Sequence, residues 1–269
     1  MSTAATLVEA LTPLRADPTH AAILLDIDGT LAPIVRQADD AIVAEATRSR
    51  LIAVARRYAV VACVSGRTAS DARRLVAIGS IGYIGNHGGE LLRPGTIGAE
   101  VDPELVRWER RVQEFAAQAL DHDARRLRVR LEDKGPIVAF HWRGAPDEDA
   151  AESAVLEIAQ RAEQRGLHVH WGRKVLEVRP PVEIHKGVAV GRLLRELDVN
   201  TALYAGDDLT DLDAFRAIAE LAEEGRLDFA LRVGVRSDEG PPEITAEADI
   251  VVDGVPGVDE LLDLLLTEH

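Results

Sequence analysis

Cysteine is nearly absent from the sequence, which contains only Cys63 among its 269 residues. A single cysteine cannot form an intrachain disulfide, and this composition is typical of a reducing compartment such as the cytoplasm. Cys63 lies within an apolar run, residues 60–64, where we expect a buried structural thiol rather than a nucleophile. The sequence also lacks a signal peptide and any apolar run long enough to cross a bilayer. We therefore expect a cytoplasmic protein that does not bind membranes.

Aromatic residues and positive charge are also scarce. Aromatic side chains make up 4% of the sequence, so leucine, valine, isoleucine and alanine must fill the core. Aspartate and glutamate number 46 against 31 lysines and arginines, which gives a net charge of -15. This charge argues against nucleic acids and anionic membrane surfaces as partners. It does not argue against a phosphorylated small molecule, because one site can be locally positive in an acidic protein.

Strand-like and helix-like segments alternate over most of the chain. Short apolar runs at residues 22–25, 59–64 and 81–84 alternate with helical patterns at residues 41–57 and 68–77. The same alternation resumes near Lys186 and continues to the end of the sequence. Strands that are apolar throughout, separated by helices, predict an α/β fold whose parallel sheet is covered on both faces.

A different pattern interrupts this alternation in the middle of the chain. Two pairs of short strands, each accompanied by a helix, are predicted there, and the first strand is expected at residues 127–131. This pattern predicts a small antiparallel α+β domain at residues 104–180, inserted into a main domain made of residues 1–103 and 181–269. The Pro180-Pro181 pair marks the expected return to the main domain.

Carboxylate and hydroxyl side chains follow three of the predicted strands. The segments are Asp26-Ile27-Asp28-Gly29-Thr30, Val64-Ser65-Gly66-Arg67 and Gly206-Asp207-Asp208-Leu209-Thr210-Asp211. The carboxyl ends of parallel strands meet at one edge of a sheet, so these side chains are expected to converge. Five carboxylates would repel one another there, and a hard divalent cation with oxygen ligands, such as magnesium, relieves that repulsion. Lys186, at the start of a predicted helix, is the fourth element of this set.

Together these groups are suited to phosphoryl transfer. A carboxylate can attack phosphorus to form an aspartyl-phosphate, while a metal ion and a lysine neutralise charge on the phosphoryl oxygens. A second carboxylic acid can protonate the leaving alcohol and then activate water. Taken singly, each residue also has a simpler interpretation. Ser65 could be a turn or N-cap residue, Lys186 a surface lysine, and Asp207 and Asp208 helix caps.

The order of the four segments resembles the four motifs of the haloacid dehalogenase (HAD) superfamily of phosphohydrolases. This resemblance implies a Rossmann-like core with a parallel sheet and helices on both faces, plus an inserted α+β cap domain. It implies that Asp26 is the nucleophile, that Asp28 is the general acid/base, and that Ser65 and Lys186 bind the phosphoryl group. It also implies a magnesium site formed by Asp26, the main-chain carbonyl of Asp28, and Asp207, with Asp208 and Asp211 supporting the metal through water or orienting Lys186.

Finer features resemble the trehalose-6-phosphate phosphatases within this superfamily. The segments that carry the resemblance are Asp26-Ile27-Asp28-Gly29-Thr30-Leu31-Ala32-Pro33-Ile34, Ser65-Gly66-Arg67, Gly85-Asn86-His87-Gly88-Gly89-Glu90, Leu131-Glu132-Asp133-Lys134-Gly135, Phe140-His141-Trp142-Arg143, Lys174-Val175-Leu176-Glu177-Val178-Arg179-Pro180 and His185-Lys186-Gly187. One departure is Leu212, where the family commonly has glutamate; we expect this change to affect local packing and not the metal site.

The resemblance implies that the inserted domain closes over a sugar and supplies part of its binding site. Glu132, Lys134, Arg143 and Glu177 would bind the sugar hydroxyls, while Arg67, Asn86 and His87 would lie near the phosphate and the first ring. Paired polar groups suit sugar recognition, because a group left unpaired by the wrong sugar is penalised. The simpler alternatives are hairpin-turn charges for Glu132 and Lys134, an exposed strand face for Glu177 and Arg179, and an ordinary loop histidine for His87.

The sequence therefore predicts a magnesium-dependent phosphatase acting on trehalose 6-phosphate, a small-molecule sugar phosphate, in trehalose biosynthesis. A phosphatase of another sugar phosphate, of the sucrose-phosphate or mannosylglycerate-phosphate type, is the main alternative. A sugar phosphomutase and an inactive sugar-phosphate-binding module are the others. A functional link to a trehalose-6-phosphate synthase is compatible with the resemblance, although the sequence itself does not reveal one.

Overall fold

The computed structural model describes residues 3–35, 40–237 and 240–267. The chain divides into two compact units. Unit 1 consists of Met1–Glu100 and Ile184–His269, and unit 2 consists of Val101–Glu183. Each unit has its own hydrophobic core, so each is described separately.

The helices and strands alternate along the chain. The helices are α1 Thr3–Ala10, α2 Thr12–Ala16, α3 Glu45–Arg57, α4 Ala69–Val76, α5 Pro103–Ala119, α6 His122–Arg126, α7 Glu148–Gln164, α8 Lys186–Glu196, α9 Asp211–Glu223, α10 Pro242–Glu247 and α11 Gly254–Leu266. The strands are β1 Ala21–Asp26, β2 Val60–Val64, β3 Gly82–Gly85, β4 Glu90–Leu92, β5 Glu100–Val101, β6 Arg130–Asp133, β7 Val138–His141, β8 His168–Gly172, β9 Val175–Arg179, β10 Thr201–Gly206, β11 Phe229–Arg236 and β12 Ile250–Asp253. No helix among the described residues is long and apolar enough to cross a membrane.

The sheet of unit 1 has β1 near its centre. Its strands lie in the order β12-β11-β10-β1-β2-β3-β4-β5, and all neighbours from β12 to β3 are parallel. Leu25 of β1 is in register with Cys63 of β2 on one side and with Ala205 of β10 on the other. The carboxyl ends of β1, β2 and β10 therefore lie side by side at one edge of the sheet.

Alternate residues of β1 point into two different cores. Ile23 and Leu25 lie in the core that includes residues of α3 and α11, whereas Leu24 lies in the core that includes Tyr204 and Phe215. All three β1 side chains are fully buried. Fully burying such a side chain contributes about 1.5–3 kcal/mol, so both faces of the sheet are stabilised by helices. This confirms the predicted α/β architecture with a parallel sheet covered on both faces.

Unit 2 is an antiparallel sheet with helices packed on one face. Its strands lie in the order β6-β7-β9-β8, with antiparallel neighbours. Leu176 and Val178 of β9 pack in a core with residues of α5 and α7. Because side chains alternate along a strand, Glu177 and Arg179 belong to the opposite face.

The buried thiol of Cys63 in unit 1 agrees with its expected structural role, and burial raises its pKa above the usual range.

Two predicted element boundaries were wrong. The strand expected at residues 127–131 begins only at Arg130, because Leu127 caps the C-terminus of α6 and Arg128 adopts a left-handed backbone with φ of 59°. The helix expected at residues 41–57 begins at Glu45, since Ala44 is extended with ψ of 148°. Both errors come from turn geometry, which an apolar pattern does not reveal.

Candidate active site

Two carboxylates lie at the carboxyl end of β1. Asp26 ends β1 and is buried, and Asp28 follows two residues later. Gly29 then turns the chain with φ of 96°, a conformation that favours glycine. A Cβ atom at Gly29 would lie 2.0 Å from Oδ2 of Asp207. The glycine therefore lets the backbone beside Asp28 approach the Asp207 carboxylate closely.

Lys186 bridges the end of β1 and the start of α9. It begins α8 and is buried, and its Nζ donates hydrogen bonds of 2.6 Å to Oδ1 of Asp26 and 2.6 Å to Oδ1 of Asp211. Burial alone would lower the pKa of Lys186, but the two carboxylates outweigh burial and raise the pKa above its usual range. The two carboxylates therefore favour the charged, ammonium form of Lys186.

Both carboxylate oxygens of Asp211 accept hydrogen bonds that hold this arrangement in place. Its Oδ1 accepts hydrogen bonds from Lys186 and from the hydroxyl of Tyr204, the latter at 2.6 Å. Its Oδ2 accepts the backbone N–H groups of Asp207 and Asp208 at 3.1 and 3.0 Å. Asp211 thus orients Lys186 and shapes the loop after β10. Asp208 is exposed and accepts the N–H of Leu209, so Asp211 rather than Asp208 orients the lysine.

Three buried carboxylates converge at this edge of the sheet. Oxygen atoms of Asp26, Asp207 and Asp211 all lie within 4.8 Å of one another. Burial raises the pKa of Asp26 well above its usual range, against the attraction of Lys186 and with added repulsion from Asp211. Burial, with repulsion from Asp211, likewise raises the pKa of Asp207 to about 7. One ammonium does not balance three carboxylates, and this oxygen-rich set fits a hard divalent cation.

The segment after β2 carries the hydroxyl and the arginine of the predicted site. Ser65 is buried, and its Oγ accepts the backbone N–H of Arg67 at 3.1 Å. The guanidinium of Arg67 donates from Nε to Oδ2 of Asp28 and from Nη2 to Oδ1, each at 2.7 Å. Arg67, which the resemblance assigns to substrate, is thus bound to the expected acid/base in this structure.

A strained loop docks against the Ser65–Arg67 segment. Asn86 and His87 both have left-handed backbones, with φ of 48° and 56°. The N–H of Asn86 donates to the carbonyl of Arg67 at 2.7 Å, and the N–H of His87 to that of Ser65 at 3.1 Å. A Cβ atom at Gly66 would lie 2.6 Å from Cε1 of His87, so the imidazole packs directly on Gly66. Non-glycine residues held in this region often mark functional sites.

The sequence analysis gave no role to two side chains that support this site, Glu90 and Tyr204. Glu90 accepts the side-chain amide of Asn86 at 2.6 Å and the N–H of Ala69 at 2.7 Å, so it fixes the strained loop to the start of α4. Asn86 itself is fully buried. Glu90 follows Asn86 by four residues, and this spacing was a sequence signal for Glu90. Tyr204 lies in an apolar strand, where no sequence pattern marks it as a site residue.

In unit 2, three of the four expected sugar-binding residues lie together. Nζ of Lys134 is 2.9 Å from Oε1 of Glu177 and 3.9 Å from Oε2 of Glu132. The hydrogen bond from His141 to Glu132, with burial opposing it, lowers the pKa of Glu132. Arg143 instead donates to the carbonyl oxygen of Arg173 in an exposed hydrogen bond of 3.1 Å.

Solved structures share this fold. A trehalose-6-phosphate phosphatase C-terminal domain from C. albicans aligns with a TM-score of 0.74 over 98% of this chain and 96% of that chain, at 21% identity. A haloacid dehalogenase-like hydrolase from Bacteroides thetaiotaomicron aligns with a TM-score of 0.59 over 91% of this chain and 98% of that chain, at 16% identity. The chain therefore has the HAD-like hydrolase fold, with unit 2 as an α+β insertion.

Sequence comparison identifies the family. A trehalose-phosphate phosphatase from Mycobacterium marinum is 35% identical over 211 residues, which cover 73% of this chain and 51% of the relative. The chain spans 15% to 59% of the length of eight curated relatives that it matches. The trehalose-phosphatase family model matches residues 24–247, and the chain therefore belongs to the trehalose-phosphatase family.

Proposed function

We propose that this protein is a phosphatase that hydrolyses trehalose 6-phosphate to trehalose and inorganic phosphate. The observation that carries the proposal is the buried bridge from Lys186 to Asp26 at the edge of the sheet, beside Asp207. A charged lysine held on a carboxylate is suited to bind a phosphoryl oxygen next to a nucleophile. Family membership supports the choice of a trehalose phosphate as substrate.

The reaction is proposed to proceed through an aspartyl-phosphate. A carboxylate oxygen of Asp26 attacks phosphorus, and the bond between phosphorus and the sugar oxygen breaks. One of the two hydrogen bonds from Arg67 opens, and Asp28, protonated on the oxygen set free, gives its proton to the leaving sugar oxygen, so trehalose departs as a neutral alcohol. Asp28, now ionised, takes a proton from a water molecule that attacks the phosphorus. The bond between phosphorus and Asp26 breaks, which releases phosphate and restores both carboxylates.

The same side chains would also hold a magnesium ion. Asp26, Asp207 and the main-chain carbonyl of Asp28 would be its ligands from the protein. A bound divalent cation supplies charge neutralisation for the phosphoryl oxygens. Lys186 and Ser65 would bind phosphoryl oxygens from the protein side, while Asp208 and Asp211 would support the site.

Unit 2 is proposed to be the specificity domain that was predicted at residues 104–180. Glu132, Lys134 and Glu177 form a compact polar group on the face of its sheet opposite the helices. Such a group can pair with several sugar hydroxyls at once, and an unsuitable sugar would leave part of it unpaired. Arg143 instead donates to the carbonyl oxygen of Arg173.

Phosphate release across a substrate panel tests this proposal. The panel contains trehalose 6-phosphate, sucrose 6-phosphate, glucose 6-phosphate and p-nitrophenyl phosphate, each with magnesium and with a chelator. We expect strong preference for trehalose 6-phosphate and loss of activity on chelation. Equal activity on all four would overturn the substrate assignment and leave a general phosphatase. Isomerised sugar phosphate without free phosphate would indicate a mutase, and binding without any turnover would indicate an inactive module.

A further inference from the structure

A buried charge cluster lies around Glu177 on the polar face of unit 2. Nζ of Lys134 is 2.9 Å from Oε1 of Glu177, while Nε and Nη2 of Arg179 are 3.0 and 2.5 Å from Oε2. The side chains of Lys134 and Glu177 are each 9% exposed, and that of Arg179 is 14% exposed. Each carboxylate oxygen of Glu177 is therefore held by a different cation in a largely water-free setting.

The backbone explains why these groups meet. Glu177 and Arg179 are two residues apart on β9, so they share one face of the sheet. Glu177 is in register with Ala139 of β7, whose small side chain leaves room for the longer ones around it. Lys134 follows the end of β6 and reaches the cluster from the neighbouring hairpin.

Two of the hydrogen bonds to Glu177 come from Arg179. Lys134 also lies 3.9 Å from Oε2 of Glu132, so it serves two carboxylates. Arg179 contacts Oε2 of Glu177 through two nitrogen atoms. Without Arg179, this oxygen would lose both hydrogen bonds, and a buried carboxylate that loses a partner reorients or takes up a proton.

We propose that Arg179 is a positioning residue for sugar recognition, which acts by holding the carboxylate of Glu177 in one orientation. This inference rests on the proposed function and names a residue that determines its specificity. A glutamate side chain has three rotatable bonds, and ordering it only when substrate binds would weaken binding. Arg179 orders the Glu177 side chain before the sugar binds, because its guanidinium holds one carboxylate oxygen while Lys134 holds the other.

The test compares a sugar substrate with one that lacks the sugar. We expect Arg179→Met to raise the KM for trehalose 6-phosphate by about tenfold, the order expected when one long side chain must be ordered on binding. The kcat should change little, and kcat/KM for p-nitrophenyl phosphate should stay at the wild-type value. Arg179→Lys, which keeps the charge but loses the fork, should give an intermediate KM. Arg110→Met, which removes an exposed ion pair with Glu114 on α5, is the matched control and should leave both substrates unaffected.

A double-mutant cycle shows whether Arg179 acts through Glu177. In a Glu177→Gln background, Arg179→Met should raise the KM by less than about twofold, because the carboxylate it orients is already gone. A full, independent effect in that background would overturn the inference, as would an equal loss with p-nitrophenyl phosphate. If the wild-type protein shows no preference for trehalose 6-phosphate, the proposed function itself is overturned, which is a separate result from either of these.

Discussion

Arg67 binds Asp28 through two hydrogen bonds of 2.7 Å, one to each carboxylate oxygen. The side chain of Asp28 is 39% exposed and that of Arg67 is 17% exposed, so the pair lies at the boundary between the protein interior and solvent. A fork that engages both oxygens fixes the plane of the carboxylate as well as its position. The group proposed to transfer the proton is therefore oriented by a residue that the resemblance alone assigns to substrate, and one of the two hydrogen bonds must open before Asp28 can carry that proton.

Replacing Arg67 should lower turnover most for substrates whose leaving group must be protonated. We expect Arg67→Met to lower kcat for trehalose 6-phosphate by roughly 10- to 100-fold, because a misoriented acid loses part of its catalytic contribution. With p-nitrophenyl phosphate the loss in kcat/KM should be smaller, since nitrophenolate leaves without protonation. Steady-state kinetics on both substrates provide the measurement. A rise in KM with unchanged kcat would instead make Arg67 a simple substrate-binding residue.

Replacing Lys186 should destabilise the fold as well as abolish turnover. Lys186→Met leaves Asp26 and Asp211 buried without the ammonium that both now bind at 2.6 Å. Losing one partner of a buried ion pair costs about 3–5 kcal/mol, which urea unfolding at neutral pH would detect. Asp26→Asn is the matched control, because it also removes activity but relieves repulsion among the three carboxylates. If Asp26→Asn destabilised the protein as much as Lys186→Met, the electrostatic explanation would be wrong.

Magnesium should stabilise the protein more at neutral pH than in acid. The pKa of Asp207 is about 7 in the folded protein, above its ordinary value of 3.8. Between these two values the folded protein binds more protons than the unfolded chain, so without metal its stability falls as pH rises from about 4 to about 7. Magnesium binds the ionised carboxylates, so it should offset this loss and raise the melting temperature most at about pH 7.5.

Thermal melts with magnesium or with a chelator, at about pH 5 and about pH 7.5, would measure this effect. Asp207→Asn should lose most of the magnesium effect. A magnesium shift that is the same at both pH values, or that persists in Asp207→Asn, would contradict the assignment of Asp207 as a ligand.

The sequence was most informative where the backbone alone decides the geometry. Asp26 and Asp207 follow adjacent parallel strands, so their meeting at one edge of the sheet follows from strand order. Lys186 begins α8, and a helix start packed on that sheet can direct a side chain to the same edge. In each case a few residues of regular structure carry the prediction, and small errors at element boundaries do not disturb it.

Side-chain partners were much harder to predict. The contact of Arg67 with Asp28 depends on two rotamers and on a turn, none of which an apolar pattern encodes. From the sequence, Glu177 and Arg179 could also lie on an exposed strand face. The structure instead buries Glu177 between two cations. Alternation along β9 fixes which face these residues share, but the extent of burial depends on neighbouring strands that are distant in sequence.

Chemical trapping of the intermediate tests the central claim most directly. Enzyme mixed with trehalose 6-phosphate and magnesium is quenched with borohydride, which reduces an acyl phosphate to an alcohol, and the peptide that contains residue 26 is examined by mass spectrometry. We predict substrate-dependent conversion of Asp26 to homoserine, and none in Asp26→Asn. Phosphate release without any modification of Asp26, or modification of another carboxylate, would contradict the account.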